Sequence, residues 1–320
     1  MLSHKKPKFK YKLKVDKQIE NLANHLKKPT RRIPKATKNN VLIATWNLTN
    51  FGQQKRLKGH LQIMAEIIRP FDVVAIQEVA DNLSHLDNLM KELGSGWDAV
   101  YTDPAGNDER LGYIYKTARV KPIGLAAELA MRGYERAKIS IEGIEPEDKS
   151  QFPGFNRNPY MVGFIAGKFE FTLVNVHLYW SNYGLRKLEA KALALWAKKR
   201  VKKDYPPNND IILIGDFNMP RVEKGDEMYE LVTGYGLNFP KHTTDLVGTN
   251  LAGDADYDEV AFFPSRTKED FSGHMGVYDF DNAIFPDLYK QKKKEDEKKF
   301  FQYVRYYIAD HRPMWAEFLR

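Results

Sequence analysis

One pattern constrains this chain more than any other: short apolar runs of strand-forming residues repeatedly end in a polar side chain that can move a proton or bind a cation. Val41-Leu42-Ile43-Ala44-Thr45-Trp46 ends at Asn47, Val73-Val74-Ala75-Ile76-Gln77 at Glu78, and Leu173-Val174-Asn175-Val176 at His177. Ile211-Ile212-Leu213-Ile214-Gly215 ends at Asp216, with Asn218 just beyond, and the strand predicted over 257–263 carries Asp258. The last pair, Asp310-His311, precedes Pro313 and the alternating Met314, Ala316 and Phe318. Proline is tolerated at a strand's start, so the pair is read at the mouth of a final strand over 308–318. Asn and Asp also close strands for local hydrogen-bonding reasons, so one such ending means little. A series means more, because α/β folds gather strand ends at one face. There these residues would form an oxygen-rich pocket with two imidazoles, suited to a hard cation and a phosphate ester.

Helical spacing separates the strands. Leu57, Leu61, Met64 and Ile68 mark one helix, Leu83, Leu86, Met90 and Leu93 a second, and Leu185, Leu188, Ala192, Leu195 and Trp196 a third. Short strands are predicted over 97–101, 111–115 and 120–126, and Gly167-Lys168 turns a hairpin between 160–166 and 169–177. Residues 131–158 read as a long surface excursion, and the mixed charges of 290–299 as an exposed helix face or loop.

The chain lacks cysteine, which excludes disulfides and thiolate metal sites. Any metal must rest on oxygen or imidazole ligands, and oxygen ligands favour a hard cation such as magnesium, manganese or calcium. The formal charge of +8 is unevenly spread: residues 1–40 hold 13 Lys and Arg against Asp16 and Glu20, or +11, which leaves −3 for residues 41–320. The chain therefore divides into a basic N-terminal arm, 1–40, and a main domain, 41–320. The arm holds one helix, on Val15, Ile19, Leu22 and Leu26, and is read either as a solvated tail or as a grip on a polyanion. Removing it should then weaken polyanion binding while leaving hydrolysis of a small phosphodiester intact. No stretch approaches the roughly 18 apolar residues of a membrane span. The charged N-terminus is followed by no apolar secretory core, so a cytoplasmic protein is expected. No protein partner is implied.

Ala44-Thr45-Trp46-Asn47, Ile76-Gln77-Glu78-Val79, Glu109-Arg110-Leu111-Gly112-Tyr113, Arg157-Asn158-Pro159, Val176-His177, Gly215-Asp216-Phe217-Asn218, Tyr257-Asp258 and Asp310-His311-Arg312-Pro313 occur in that order. In these segments the chain resembles the endonuclease/exonuclease/phosphatase superfamily, and within it the pancreatic-type deoxyribonucleases. The resemblance implies an α/β fold of two packed β-sheets flanked by helices, a four-layer sandwich, over 41–320. It also implies roles. Glu78, supported by Asn47 and Asp310, would seat the metal. His311, oriented by Asp258, would activate water, with Asp216 as the alternative base. His177, paired with Glu109 or its neighbour Asp108, would support the leaving oxygen or hold the phosphate. Asp216 and Asn218 would position water and phosphoryl oxygens, and Arg157 and Asn47 would contact the phosphate.

The implied activity is metal-dependent endonucleolytic hydrolysis of DNA by in-line attack of water, with RNA or single strands open. The alternatives are a phosphoesterase of the same fold acting on lipid or small-molecule phosphates or abasic DNA, and a non-catalytic nucleic-acid-binding module. Two positions depart from the pancreatic-type pattern: Ala80 and Asn107 stand where that group places groove-reading basic and aromatic residues. After His177, Tyr179, Trp180, Tyr183 and Arg186 could stack unpaired bases or pack the following helix.

Overall fold

Alternation along each strand sends successive side chains to opposite faces, and here it sorts them into separate cores. The computed structural model describes residues 3–28, 33–144, 152–202, 210–244, 248–289 and 294–320. Its strands are β1 (Asn40–Phe51), β2 (Val73–Ala80), β3 (Trp97–Tyr101), β4 (Glu109–Lys116), β5 (Lys121–Glu128), β6 (Tyr160–Ala166), β7 (Phe169–His177), β8 (Ile211–Asp216), β9 (Asp258–Phe262), β10 (Phe271–Val277) and β11 (Met314–Leu319). Its helices are α1 (Val15–His25), α2 (Lys58–Ile68), α3 (Ser84–Leu93), α4 (Gly133–Arg136), α5 (Tyr183–Val201), α6 (Glu227–Thr233), α7 (Pro264–Thr267) and α8 (Lys294–Tyr307).

The strands form a six-stranded sheet, β10-β11-β1-β2-β4-β3, and a five-stranded sheet, β5-β6-β7-β8-β9. On β1, Leu42, Ala44, Trp46 and Leu48 face a core shared with α2, α3 and α8, while Val41 and Ile43 face the second sheet. On β7, Phe171 and Leu173 meet them from that sheet, and Val174 and Val176 turn to a third core under α5 and α6. Helix, sheet, sheet and helix therefore stack as the four layers expected.

Some elements differ from the sequence reading. The final strand begins at Met314, not Ile308: α8 runs to Tyr307, and Asp310-His311 lie in the connection before Pro313. Strand β10 and the long α8 were not anticipated. In the excursion after residue 130, α4 and an isolated bridge between Ile141 and Ile144 form, while 145–151 and, in the charged run, 290–293 lie outside the described residues.

The N-terminal segment packs on the body. Leu22 joins the core cluster that holds Leu61 and Met64 of α2, with Phe9, Tyr11 and Leu13 against its edge. The buried His25 Nε2 lies 2.8 Å from Asp279 Oδ1, and Gln18 Oε1 accepts from the Phe285 amide at 2.6 Å. Removing this segment would uncover α2, so the arm is not a solvated tail and its loss would bear on the stability of the body as well as on polyanion binding.

Candidate active site

Register carries the polar strand ends to one place. β1 and β2 run parallel with Asn47 beside Gln77, which puts Glu78 next to Asn47. β2 and β4 are antiparallel with Ala80 opposite Glu109, and Thr45 of β1 pairs with Met314, just after Pro313. In the second sheet His177 pairs with Asp216 and Asp216 with Asp258. Gly215 makes this closure possible: at φ +141° it passes so near β7 that a Cβ would sit 2.1 Å from the Val176 carbonyl oxygen.

Backbone strain is concentrated at the same end. Thr49, Asn50, Glu78 and Asn218 adopt φ of 53°, 48°, 60° and 51°, a region sparsely used by side-chain-bearing residues. The turns aim polar groups inward. Asn50 N–H donates to Glu78 Oε2 at 2.7 Å, and Asn218 N–H to Asp216 Oδ1 at 2.8 Å.

Asn47 is the hub. Its Nδ2 donates to Glu78 Oε1 at 2.9 Å and to Asp216 Oδ2 at 3.0 Å, holding the half-buried Glu78 and the buried Asp216 together across the sheets. Both imidazoles flank that same Asp216 oxygen, His177 Nε2 at 3.6 Å and His311 Nε2 at 4.0 Å. His311 Nδ1 lies 2.6 Å from Asp258 Oδ2, so its Nε2 is the ring nitrogen left facing the hollow. His177 Nδ1 is 3.2 Å from Glu109 Oε2. Asp310 Oδ1 accepts from Thr49 Oγ1 at 2.5 Å, while Asp310 Oδ2 lies 2.7 Å from His4 Nε2.

The electrostatics are those of a carboxylate excess. Burial raises the pKa of Glu78, with Glu109 and Asp310 adding to it, and burial likewise raises Asp216 and Asp258. Burial pushes Glu109 up to about 7 against the pull of Arg157, and burial with Arg157 pulls His177 down to about 4. Burial acts to lower His311, but Asp258, Asp216 and Asp310 outweigh it and hold the imidazole well above its usual range. Glu109 keeps both carboxylate oxygens buried without a hydrogen-bond partner, as Asp258 does Oδ1. An all-oxygen and imidazole donor set with surplus negative charge fits a divalent cation.

This geometry changes one sequence-based role and narrows another. Arg157 is 2% exposed; its Nε and Nη2 donate to the carbonyls of His177 and Leu178 at 3.0 Å each, and Nη1 lies 3.6 Å from Glu109. It shapes the His177 turn and has no open face for a phosphate. Asn47 commits its Nδ2 to the two carboxylates and its Oδ1 accepts from Thr49 N–H at 2.9 Å, which leaves one oxygen lone pair for a metal or phosphate contact. Among the described residues, the acid and histidine trio whose ligand atoms all lie within 4.8 Å of one another is Asp216, Asp258 and His311. His311 Nδ1 there is already committed to Asp258.

Sequence reasoning missed a supporting layer. Gln77 Nε2 donates to Asn175 Oδ1 at 2.6 Å, and Asn175 Nδ2 donates to Ile76 and Gly112 carbonyls at 3.0 and 2.9 Å, tying the sheets beneath the site. Glu189 accepts from Asn156 N–H at 2.6 Å and Tyr179 N–H at 2.7 Å, joining the loops on either side of His177. His4, far from the site in sequence, also belongs to this layer through Asp310.

No family model matches the chain, and no curated protein matches it in sequence. Solved structures do match. An endonuclease/exonuclease/phosphatase family protein from Bacteroides thetaiotaomicron superposes with a TM-score of 0.54 at 15% identity, over 88% of this chain and 98% of that one. The chain has the endonuclease/exonuclease/phosphatase fold. A mannosyl-6-phosphatase of the same bacterium shares the fold with a TM-score of 0.54 at 15% identity, over 88% and 100% of the two chains. D. rerio TDP2, complexed with a single-strand DNA product, matches with a TM-score of 0.55 at 13% identity, over 87% and 98%. Among the described residues no helix is long and apolar enough to cross a membrane.

Proposed function

We propose that this protein is a metal-dependent phosphodiesterase that cleaves nucleic acid, with DNA as the first substrate to test. The observation that carries the reading is the pair of imidazoles flanking one Asp216 oxygen, with His311 oriented by Asp258. A water placed in that gap has Asp216 Oδ2 as its proton acceptor, while His311, kept as the imidazolium by Asp258, presents Nε2–H as a proton donor. His177 and the Asn218 turn face the phosphoryl oxygens from the opposite sheet, and Arg157 keeps the His177 turn in place. Held by Glu78 and Asp310, with Asn47 bracing Glu78, a divalent cation such as magnesium would offset the charge that develops on the phosphate.

Unpaired strands are favoured over duplex. Ala80 is buried and small, and Asn107 sits in a left-handed turn, so neither reaches into a groove. Trp180 and Tyr183 are 61% and 44% exposed, and the Tyr183 ring stacks on Arg186, a platform suited to bases. The test is incubation of purified protein with plasmid, single-stranded DNA and RNA, with magnesium and with chelator. Metal-dependent cleavage, greatest on single strands, is expected. Turnover confined to phosphate monoesters or lipid phosphates would move the substrate class, and His177→Ala and His311→Ala variants as active as the parent would remove the catalytic reading.

A further inference from the structure

One cavity outside the site gathers lysine and arginine side chains that, among the described residues, pair with no carboxylate. It lies between the N-terminal segment and α8, holds about 350 Å³, and is lined by His4, Lys5, Lys298, Phe301, Gln302 and Arg305. The α8 residues fall at helical spacing, so the helix turns Lys298, Phe301, Gln302 and Arg305 to one face. No carboxylate among the described residues lines the cavity. Among the described residues Lys5, Lys298 and Arg305 enter no ion pair, whereas the neighbouring Lys299 on another face pairs with Glu295. The Arg305 guanidinium lies over the Phe301 ring, 5.6 Å from its centroid, and its Nε is buried without a hydrogen-bond partner. Cations gathered around one hollow without acids attract a polyanion.

His4 connects this cavity to the site, since the side chain that lines it also holds Asp310 Oδ2 at 2.7 Å. We infer that the cavity binds a backbone phosphate of a nucleic-acid strand, next along the chain from the phosphate undergoing cleavage. The N-terminal segment and α8 together grip the strand on the Asp310 side. This assignment rests on the nuclease reading above and adds to it a subsite with its own residues.

The experiment is equilibrium binding of a fluorescent single-stranded oligonucleotide to the full chain in chelator, so that no turnover occurs, over a series of salt concentrations. Lys5→Gln and Lys298→Gln change exposed residues and preserve the fold. Each phosphate contact on a single strand contributes a slope of about 0.7 in log affinity against log salt. The double variant, which takes two cations from that one phosphate, should therefore lose about 0.7 from the slope. Lys168→Gln, in the β6–β7 turn at the strand ends away from His177, should leave it unchanged. If the parent cleaves and binds oligonucleotides while the double variant keeps the parent slope, the subsite is overturned and the nuclease reading stands. If the parent binds no oligonucleotide yet hydrolyses small phosphate esters, the nuclease reading itself falls and the subsite with it.

Discussion

Replacing Arg56 with methionine should destabilise the protein more than any single change at its surface. The guanidinium is 4% exposed and stands over the Phe51 ring at 5.1 Å. Its Nη2 donates to the carbonyls of Leu48, Thr49 and Ile308 at 2.7, 2.6 and 3.1 Å, Nε to Ile308 at 3.3 Å, and Nη1 to Asn50 and Gln54 at 3.4 Å each. Burial pulls its pKa down to about 9, with Glu78, Asp310 and Tyr306 acting the other way, so the charge persists at neutral pH. The carbonyls it gathers belong to the segments that set the site: Thr49 braces Asp310, Asn50 caps Glu78, and Ile308 leads into Asp310-His311. Methionine keeps the packing and removes every donor. Hydrogen bonds from a charged group contribute about 1.5–3 kcal/mol each, and leaving a buried polar partner alone costs about 1–3 kcal/mol. The bonds share donors and carbonyls and do not add in full, so the expected loss is about 3–5 kcal/mol. At about 1.4 kcal/mol per tenfold, the ratio of folded to unfolded chain falls at least a hundredfold. Urea unfolding at neutral pH reads this as a lower midpoint at constant m. Arg56→Lys should recover only part, because one ammonium cannot span both segments. A loss below about 1 kcal/mol for Arg56→Met would refute the view that this side chain holds the site loops together.

Asp258→Asn should leave the circular dichroism spectrum intact and lower kcat/KM on the best phosphodiester by about 10²–10⁴-fold; a loss under tenfold would count against His311 as a proton carrier. Glu189→Gln should cost about 1–3 kcal/mol in urea unfolding, because one of the two buried amides then faces an NH₂ group. His60, buried against Tyr303, has its pKa pulled down by burial from 6.5 to about 4. The unfolded chain therefore takes up a proton that the folded chain refuses. Stability present above pH 6.5 should fall by about 1.4 kcal/mol per pH unit toward pH 4 and then level off. A His60→Gln variant should lack this part of the acid slope in melting experiments across that range.

The strands β1, β2, β7 and β8 were legible because both of their faces are buried, which leaves near-continuous apolar runs with a polar terminus. Edge strand β10 hides its identity in Phe271-Ser272-Gly273-His274-Met275-Gly276, where two glycines and exposed polar residues break the alternation. Helix α8 opens with Lys294-Glu295-Asp296-Glu297, and those charges masked the buried Phe300, Tyr303 and Val304 at helical spacing behind them. Within the site, the residues expected from strand ends do come together, but neighbours decide what their atoms can do. Thr49 N–H takes one lone pair of the Asn47 oxygen, and two carbonyls with Glu109 take Arg157. Some supports left a readable signal: Asn175 interrupts an apolar strand, and Glu189 interrupts the apolar stripe of α5, both positions where a buried polar group needs a partner. His4 left none, because its partner is 306 residues away.

The placement of β1 between β2 and β11 fixes when the hollow can be complete. Translation delivers β1 long before β11, so during synthesis β1 waits with one flank unpaired and the hollow lacks Asp310 and His311. A chain interrupted before β11 leaves that hollow incomplete and presents an open strand edge, a liability for aggregation.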